Sequence, residues 1–155
     1  MKVREIMTTE VITAKEDQTR QQAARLLSQH RMSGLPVVDA ENAVVGVVTE
    51  HDVIGREGGT VGDIMTRSVI SVAPDTDIEE VSHILVHDHI KRVLVLEQGK
   101  LIGIVSRADL VRMIVMHWLC LAVRYFAAHR TQPERCPRCG AGAIFVSTES
   151  VPPGS

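Results

Sequence analysis

The chain carries nearly the same text twice. REIMTTEVITA, from Arg4 to Ala14, returns as GDIMTRSVISV, from Gly62 to Val72. VVGVVTEHDVI, from Val44 to Ile54, returns as LIGIVSRADLV, from Leu101 to Val111. The offset is 58 residues before the central turn and 57 after it, so the second copy has lost one residue between Asp39–Val44 and Glu97–Leu101. A repeat of this kind decides the architecture before any other feature. Two copies of so short a unit predict one α/β domain with internal pseudo-two-fold symmetry, its two small sheets meeting at a central cleft. A ligand is expected at that seam. The expected divisions are 1–58 for the first repeat, 59–115 for the second, and 116–155 for a helical extension and tail.

Composition narrows the function classes. With 155 residues there is enough chain for one core-bearing domain and some extra tail. An apolar share of 45% at near-zero mean hydropathy is that of a soluble globular protein. Net charge is −2, aromatics are 3%, and no Lys/Arg run is dense enough to follow a phosphate backbone, which argues against a nucleic-acid partner. The start MKVREIMTTE has no apolar signal region, so the expected location is the cytoplasm. Leu110 to Ala128 is the one stretch of membrane-like hydropathy. Arg112, His117 and Arg124 interrupt it, so it reads as a buried helix and no membrane partner is expected.

Each copy runs through the same order of signals. A short β segment (Val11–Thr13, Val69–Val72) leads to a turn and a helix. In the second copy Thr76 and Glu79 have capping-box spacing, with Ile78, Val81 and Leu85 on one face. In the first the helix runs roughly from Thr19 to His30, with the weaker stripe Ala23, Leu26, Leu27. Two β-branched runs follow around AEN or QGK, Leu35–Asp39 with Val44–Thr49 and Arg92–Glu97 with Leu101–Ser106, and read as antiparallel hairpins. A second helix starts after each hairpin. In copy one it stops at Gly55, and in copy two neither Gly nor Pro interrupts the chain from Arg107 to about Ala128. That predicts a long C-terminal helix, apolar on more than one side, which needs a partner and points to a homodimer.

Both copies place Gly-h-h-[Ser/Thr]-x-x-Asp at the end of the third strand: Gly46-Val47-Val48-Thr49-Glu50-His51-Asp52 and Gly103-Ile104-Val105-Ser106-Arg107-Ala108-Asp109. Both carry Met-Thr-x-x-Val-Ile-[Thr/Ser], at Met7 and at Met65, and the first has Leu35-Pro36-Val37-Val38-Asp39. This β-α-β-β-α pattern resembles the CBS domain, and two in tandem look like a Bateman module. The resemblance covers roughly residues 1–115. It implies a regulatory, non-catalytic module that binds an adenosine-containing ligand such as AMP, ADP, ATP or S-adenosylmethionine and acts on a separate target protein. It also implies that Thr49, Asp52, Ser106 and Asp109 hold ribose hydroxyls or phosphate.

The physical reading agrees, because a helix N-terminus offers unpaired N–H groups and the positive end of a dipole. The same spacing is also that of a capping box, which needs no ligand. The two motifs differ in charge. Lys91, Arg92 and Arg107 surround the second, and Arg31 and His51 beside Glu50 surround the first, so phosphate should favour the second. An adenine ring would lie between aliphatic walls such as Ile12, Val37, Ile70 and Val93. Nothing forms a catalytic set, and His83, His87 and His89 read as an exposed helix face.

The tail holds all three cysteines. Cys136-Pro137-Arg138-Cys139-Gly140 has the form of a zinc knuckle, which supplies two thiolates to Zn or Fe. His117 and Cys120, one helical turn apart, are the expected completing pair, with His129 as a further candidate. The tail also defines a rival reading: a metal-tailed redox or interaction protein that uses the repeat pair as a dimerisation scaffold.

Overall fold

The structure is a computed structural model and describes residues 1–116, 118–120, 125–127, 135–136, 139–140 and 145–146. It divides into two compact units: Thr8–Ala73 with Leu94–Ile104, and Met1–Met7 with Pro74–Val93 and Val105–Ser155. Neither unit is one repeat, because each takes segments from both.

In the first of these units, helix α1 (Arg20–Gln29) starts at Thr19. Thr19 Oγ accepts the Gln22 N–H, and Gln22 Oε1 accepts the Thr19 N–H, so two of the orphan donors of the first turn are satisfied. Strands β1 (Gly34–Val38) and β2 (Val44–Thr49) pair antiparallel as expected. All five residues of β1 are buried. Its two faces serve two clusters: Leu35 and Val37 join Ala14, Ala23, Leu27, Val48, Val61, Ile64 and Met65, whereas Val38 joins Leu94, Leu101 and Ile104. The register shifts between Val37 and Val38, and a one-residue slip exchanges faces. Val45 therefore packs on the first cluster while Val44 and Val47 pack on the second. Short helices α2 (Glu50–Gly55) and α3 (Val61–Ile64) follow, both opening on a Thr–Asp capping box.

The expected opening strand of each copy is shorter than the sequence suggests. In the second copy β3 is Ser71–Val72, paired parallel to β4 (Arg92–Glu97). In the first it is a single parallel bridge, Ala14 to Val37, closed by Ala14 N–H to the Pro36 carbonyl and Val38 N–H to the Ala14 carbonyl. The three-stranded sheet has the order β3-β4-β5, with β5 at Lys100–Ser106. Gln98 and Gly99 join β4 to β5 with φ of 51° and 77°, the two positive values of a tight primed turn. The corresponding turn of copy one is longer. There Asp39 Oδ1 accepts the N–H groups of Glu41 and Ala43 and Asn42 takes the left-handed position at φ 64°. The residue missing from the second copy is thus a change of turn type.

The other unit contains a 3-10 turn (Val3–Glu5) and helix α4 (Ile78–His87). Val3 N–H donates to the Thr76 carbonyl, Arg4 N–H to the Pro74 carbonyl, and Ile78 N–H to the Met1 carbonyl. Ile78, Val81 and Leu85 form the buried face, as their spacing predicts. The cap differs from expectation. Asp77, not Thr76, stands at the N-cap, and its carboxylate takes Lys2 Nζ at 2.8 Å instead of closing a capping box. Helix α5 (Arg107–Met116) packs against α4.

The long C-terminal helix does not form as expected. Helix α5 ends at Met116, and Trp118–Cys120 is strand β6, central in a second three-stranded sheet of order β7-β6-β8. Strand β7 is Tyr125–Ala127 and β8 is Phe145–Val146, both antiparallel to β6. The physical reason is that short apolar runs do not distinguish helix from strand by periodicity. The aromatic residues Trp118, Tyr125, Phe126 and Phe145 favour a pleated surface once a partner strand is present. No helix among the described residues is long and apolar enough to cross a membrane.

Candidate functional site

Each Thr/Ser-x-x-Asp motif closes on itself at a helix N-terminus. In the first copy Thr49 is the N-cap of α2, with φ −111° and ψ 167°. Its Oγ accepts the Asp52 N–H at 3.2 Å, and Asp52 Oδ2 accepts the Thr49 N–H at 3.0 Å. In the second copy Asp109 Oδ2 accepts the Ser106 N–H at 2.7 Å and the Ser106 hydroxyl at 2.9 Å. Both carboxylates are buried, Asp52 at 2% exposure and Asp109 at 7%. A buried carboxylate needs several donors to remain there, and each site supplies them.

Two of those donors are arginines that sequence reasoning passed over. Arg56 Nε lies 3.1 Å from Asp52 Oδ1, four residues along α2, and Arg56 Nη1 also donates to the Met65 carbonyl at 3.3 Å. Arg112 Nη2 pairs with Asp109 Oδ1 from three residues along α5. Their i,i+4 and i,i+3 spacings were the available signal. A third donor had no local signal. The Thr66 hydroxyl, from the opening segment of the second copy, is 3.3 Å from each oxygen of Asp52.

The opening segments are in fact exchanged. Thr66 N–H and carbonyl pair with Val47 of the first copy, both at 2.8 Å. Thr8 N–H and carbonyl pair with Ile104 of the second copy, at 2.9 and 3.0 Å. Gly46 lies beneath one of these crossings: a Cβ there would stand 2.7 Å from the Thr66 carbonyl oxygen and 3.0 Å from Met65 Sδ. The motif glycine of copy one is therefore required by the close approach of another backbone.

The remaining expected site residues are spread over several surroundings. Arg107 is exposed and donates through Nε to the Ile90 carbonyl at 2.8 Å, and its N–H bonds the Lys91 carbonyl. Arg92, at the start of β4, is half-buried. Of the aliphatic wall candidates, Val37 and Val93 are fully buried, Ile12 is partly buried against the cluster that contains Val37, and Ile70 is 44% exposed. His83 and His87 are exposed along α4 with ring centroids 5.0 Å apart, and His89 is exposed just past its end. A groove of about 330 Å³ lies between α1 and α2, lined by Ala24, Leu27, Ser28, Glu50, Val53 and Ile54.

In the tail, Cys136 is buried and Cys139 is exposed. His117 and His129 lie outside the described residues. The one-turn pairing of His117 with Cys120 required helix through Cys120, which instead ends strand β6. Among the described residues, no three His, Cys, Asp or Glu side chains gather as a metal cluster.

Comparison with known proteins accounts for the doubled motif. A family model described as the CBS domain matches twice, at residues 3–58 and 61–116. The CBS domain-containing protein YhcV of Bacillus subtilis is 34% identical over 115 residues, covering 70% of this chain and 81% of that protein. Two longer relatives are spanned over only 44% and 23% of their length. Among solved structures, CBSX2 in complex with AMP has a TM-score of 0.68 at 31% identity, covering 72% of this chain and 93% of that one. The CBS domain pair of MJ0100, in complex with 5′-methylthioadenosine and S-adenosyl-L-methionine, has a TM-score of 0.66 at 29% identity, covering 73% and 94%. With both repeats matched and the motif glycine, hydroxyl and carboxylate accounted for, the chain belongs to the CBS-domain family as a tandem pair.

Proposed function

We propose that the chain is a non-catalytic sensor that binds an adenosine-containing nucleotide at its Thr49–Asp52 and Ser106–Asp109 motifs. The observation that carries this reading is the twice-built carboxylate. Each repeat holds a buried Asp at a helix N-terminus with a hydroxyl three residues before it, which suits two ribose hydroxyls and a nearby phosphate. Solved relatives that hold AMP, 5′-methylthioadenosine or S-adenosyl-L-methionine support the ligand class. The second motif is the favoured site. The Arg56 partner of Asp52 is tied to a second acceptor at Met65, and Thr66 adds another donor. The Arg112 side chain is 74% exposed and can exchange its carboxylate contact for a ligand hydroxyl at less cost.

The sensor acts as a homodimer in the cytoplasm and regulates a separate protein. Ile54 and Val111 occupy the same position of the two repeats, two residues past each motif Asp, and are 84% and 60% exposed. An apolar side chain kept in the open at the same place twice suits burial against a second copy.

The test is a thermal-shift and calorimetric panel of AMP, ADP, ATP and S-adenosylmethionine. A ligand that binds only the folded state at about one hundred times its Kd adds roughly 2.7 kcal/mol, an upward shift of several degrees. No shift with any of the four would remove the sensor reading.

A further inference from the structure

We infer that two copies of this chain pair through unlike repeats, the α1–α2 groove of one receiving the α4–α5 face of the other. This polarity rests on the homodimer proposed above. The groove of about 330 Å³ is lined by Ala24, Leu27, Ser28, Glu50, Val53 and Ile54. At the repeat offsets of 58 and 57, the same six positions of α4 and α5 hold Ser82, Leu85, Val86, Arg107, Leu110 and Val111. Four of the six are alike in kind: small at Ala24 and Ser82, and aliphatic at Leu27 and Leu85, Val53 and Leu110, Ile54 and Val111. In each repeat the two helices pack together, and the last of these aliphatic residues is left open to water. Two apolar patches built to one plan are surfaces for a partner.

The remaining two positions are opposed. Ser28 of α1 is replaced on α4 by Val86, which is 47% exposed. A small side chain leaves a hollow on α1 where a branched one stands out from α4. Glu50 is replaced by Arg107, each the first residue of its helix and each exposed. Arg107 Nε donates to the Ile90 carbonyl at 2.8 Å, which steadies the side chain and leaves its terminal N–H groups for a carboxylate. Like repeats facing each other would gather two carboxylates, or two guanidinium groups, in one interface. Unlike repeats set Glu50 against Arg107 and Val86 against the hollow at Ser28. Repulsion in the wrong pairing and attraction in the right one together give the choice its specificity. Between copies related by a two-fold axis the contact is made twice.

The experiment is sedimentation equilibrium of the full chain over a dilution series, wild type against charge reversals at the two exposed positions. Glu50→Arg and Arg107→Glu should each weaken the dimer by about tenfold or more, as like charges brought together in one interface do. Both substitutions in one chain should restore it, and so should an equimolar mixture of the two single variants. Ser28→Val, which fills the hollow, should weaken it without any change of charge. A far-UV circular dichroism spectrum matching wild type shows that each variant is folded. A dissociation constant that ignores both single reversals, or a double variant no tighter than the singles, would overturn the pairing and leave the homodimer standing. A monomer at micromolar concentration would overturn the homodimer and the pairing with it.

Discussion

The hydroxyl of Thr66 donates to the carboxylate of Asp52 across 14 positions of sequence, 3.3 Å from each oxygen. The motif of the first repeat is thus completed by a residue of the second. Thr66→Val should remove one hydrogen bond to a buried charge and cost roughly 1.5–3 kcal/mol. Thr66→Ser should retain most of it. Equilibrium urea unfolding of the two variants checks this, and equal stability of Val and wild type would show that the hydroxyl contributes nothing.

The two aspartates should differ in their effect on ligand. Asp109→Asn is expected to lower AMP affinity by roughly tenfold to a hundredfold, the value of a charged hydrogen bond. Asp52→Asn should lower it less while reducing thermal stability more, because Thr49, Arg56 and Thr66 all converge on that carboxylate. Isothermal titration of both variants decides. Equal losses of affinity would refute the asymmetry.

Gly46 offers a steric test of the exchanged segments. A methyl group there meets the Thr66 carbonyl at 2.7 Å, and backbone gives way less readily than a side-chain tip. Gly46→Ala should destabilise by about 1–3 kcal/mol, as overpacking does. Gly59, whose Cβ position is open, serves as the control and should tolerate Ala. A Gly46→Ala protein as stable as the Gly59→Ala protein would mean the segments sit further apart.

Asp63 provides a pH-dependent cap. Bonds from the Thr60 backbone and hydroxyl, and from the Gly59 N–H, hold its carboxyl below the ordinary value of 3.8. A lowered folded value means that its contribution is fully present above pH 3.8 and is lost as pH falls through the folded pKa. An NMR titration should give a midpoint for Asp63 below 3.8, moving up in Thr60→Ala. A midpoint unmoved by that substitution would separate the cap from the shift.

Much of the fold was legible because its signals are local. The start of α1 near Thr19, the Ile78–Val81–Leu85 face and both hairpins follow from periodicity and turn residues within a dozen positions. The end of α5 at Met116 was not legible, since Trp118 to Cys120 carries apolar residues that suit a helix and a strand equally. Only pairing with Tyr125–Ala127 and Phe145–Val146 makes it a strand. At the motifs, the hydroxyl and carboxylate were visible as a doubled pattern, and Arg56 and Arg112 could have been found by helical spacing. Thr66 could not, because a partner in the other repeat leaves no trace near Asp52.

The exchange of opening segments gives the order of synthesis a physical meaning. A chain made from its N-terminus presents Thr49, Asp52 and Val47 well before Thr66 exists to meet them, and Thr8 waits longer still for Ile104. The first repeat therefore emerges with a buried-type carboxylate short of a donor and a strand edge open, and settles only when the second arrives. A gene fragment ending near residue 58 would encode that waiting state and no more. Loss of either half would leave the other short of a partner, Val47 without Thr66 or Thr8 without Ile104.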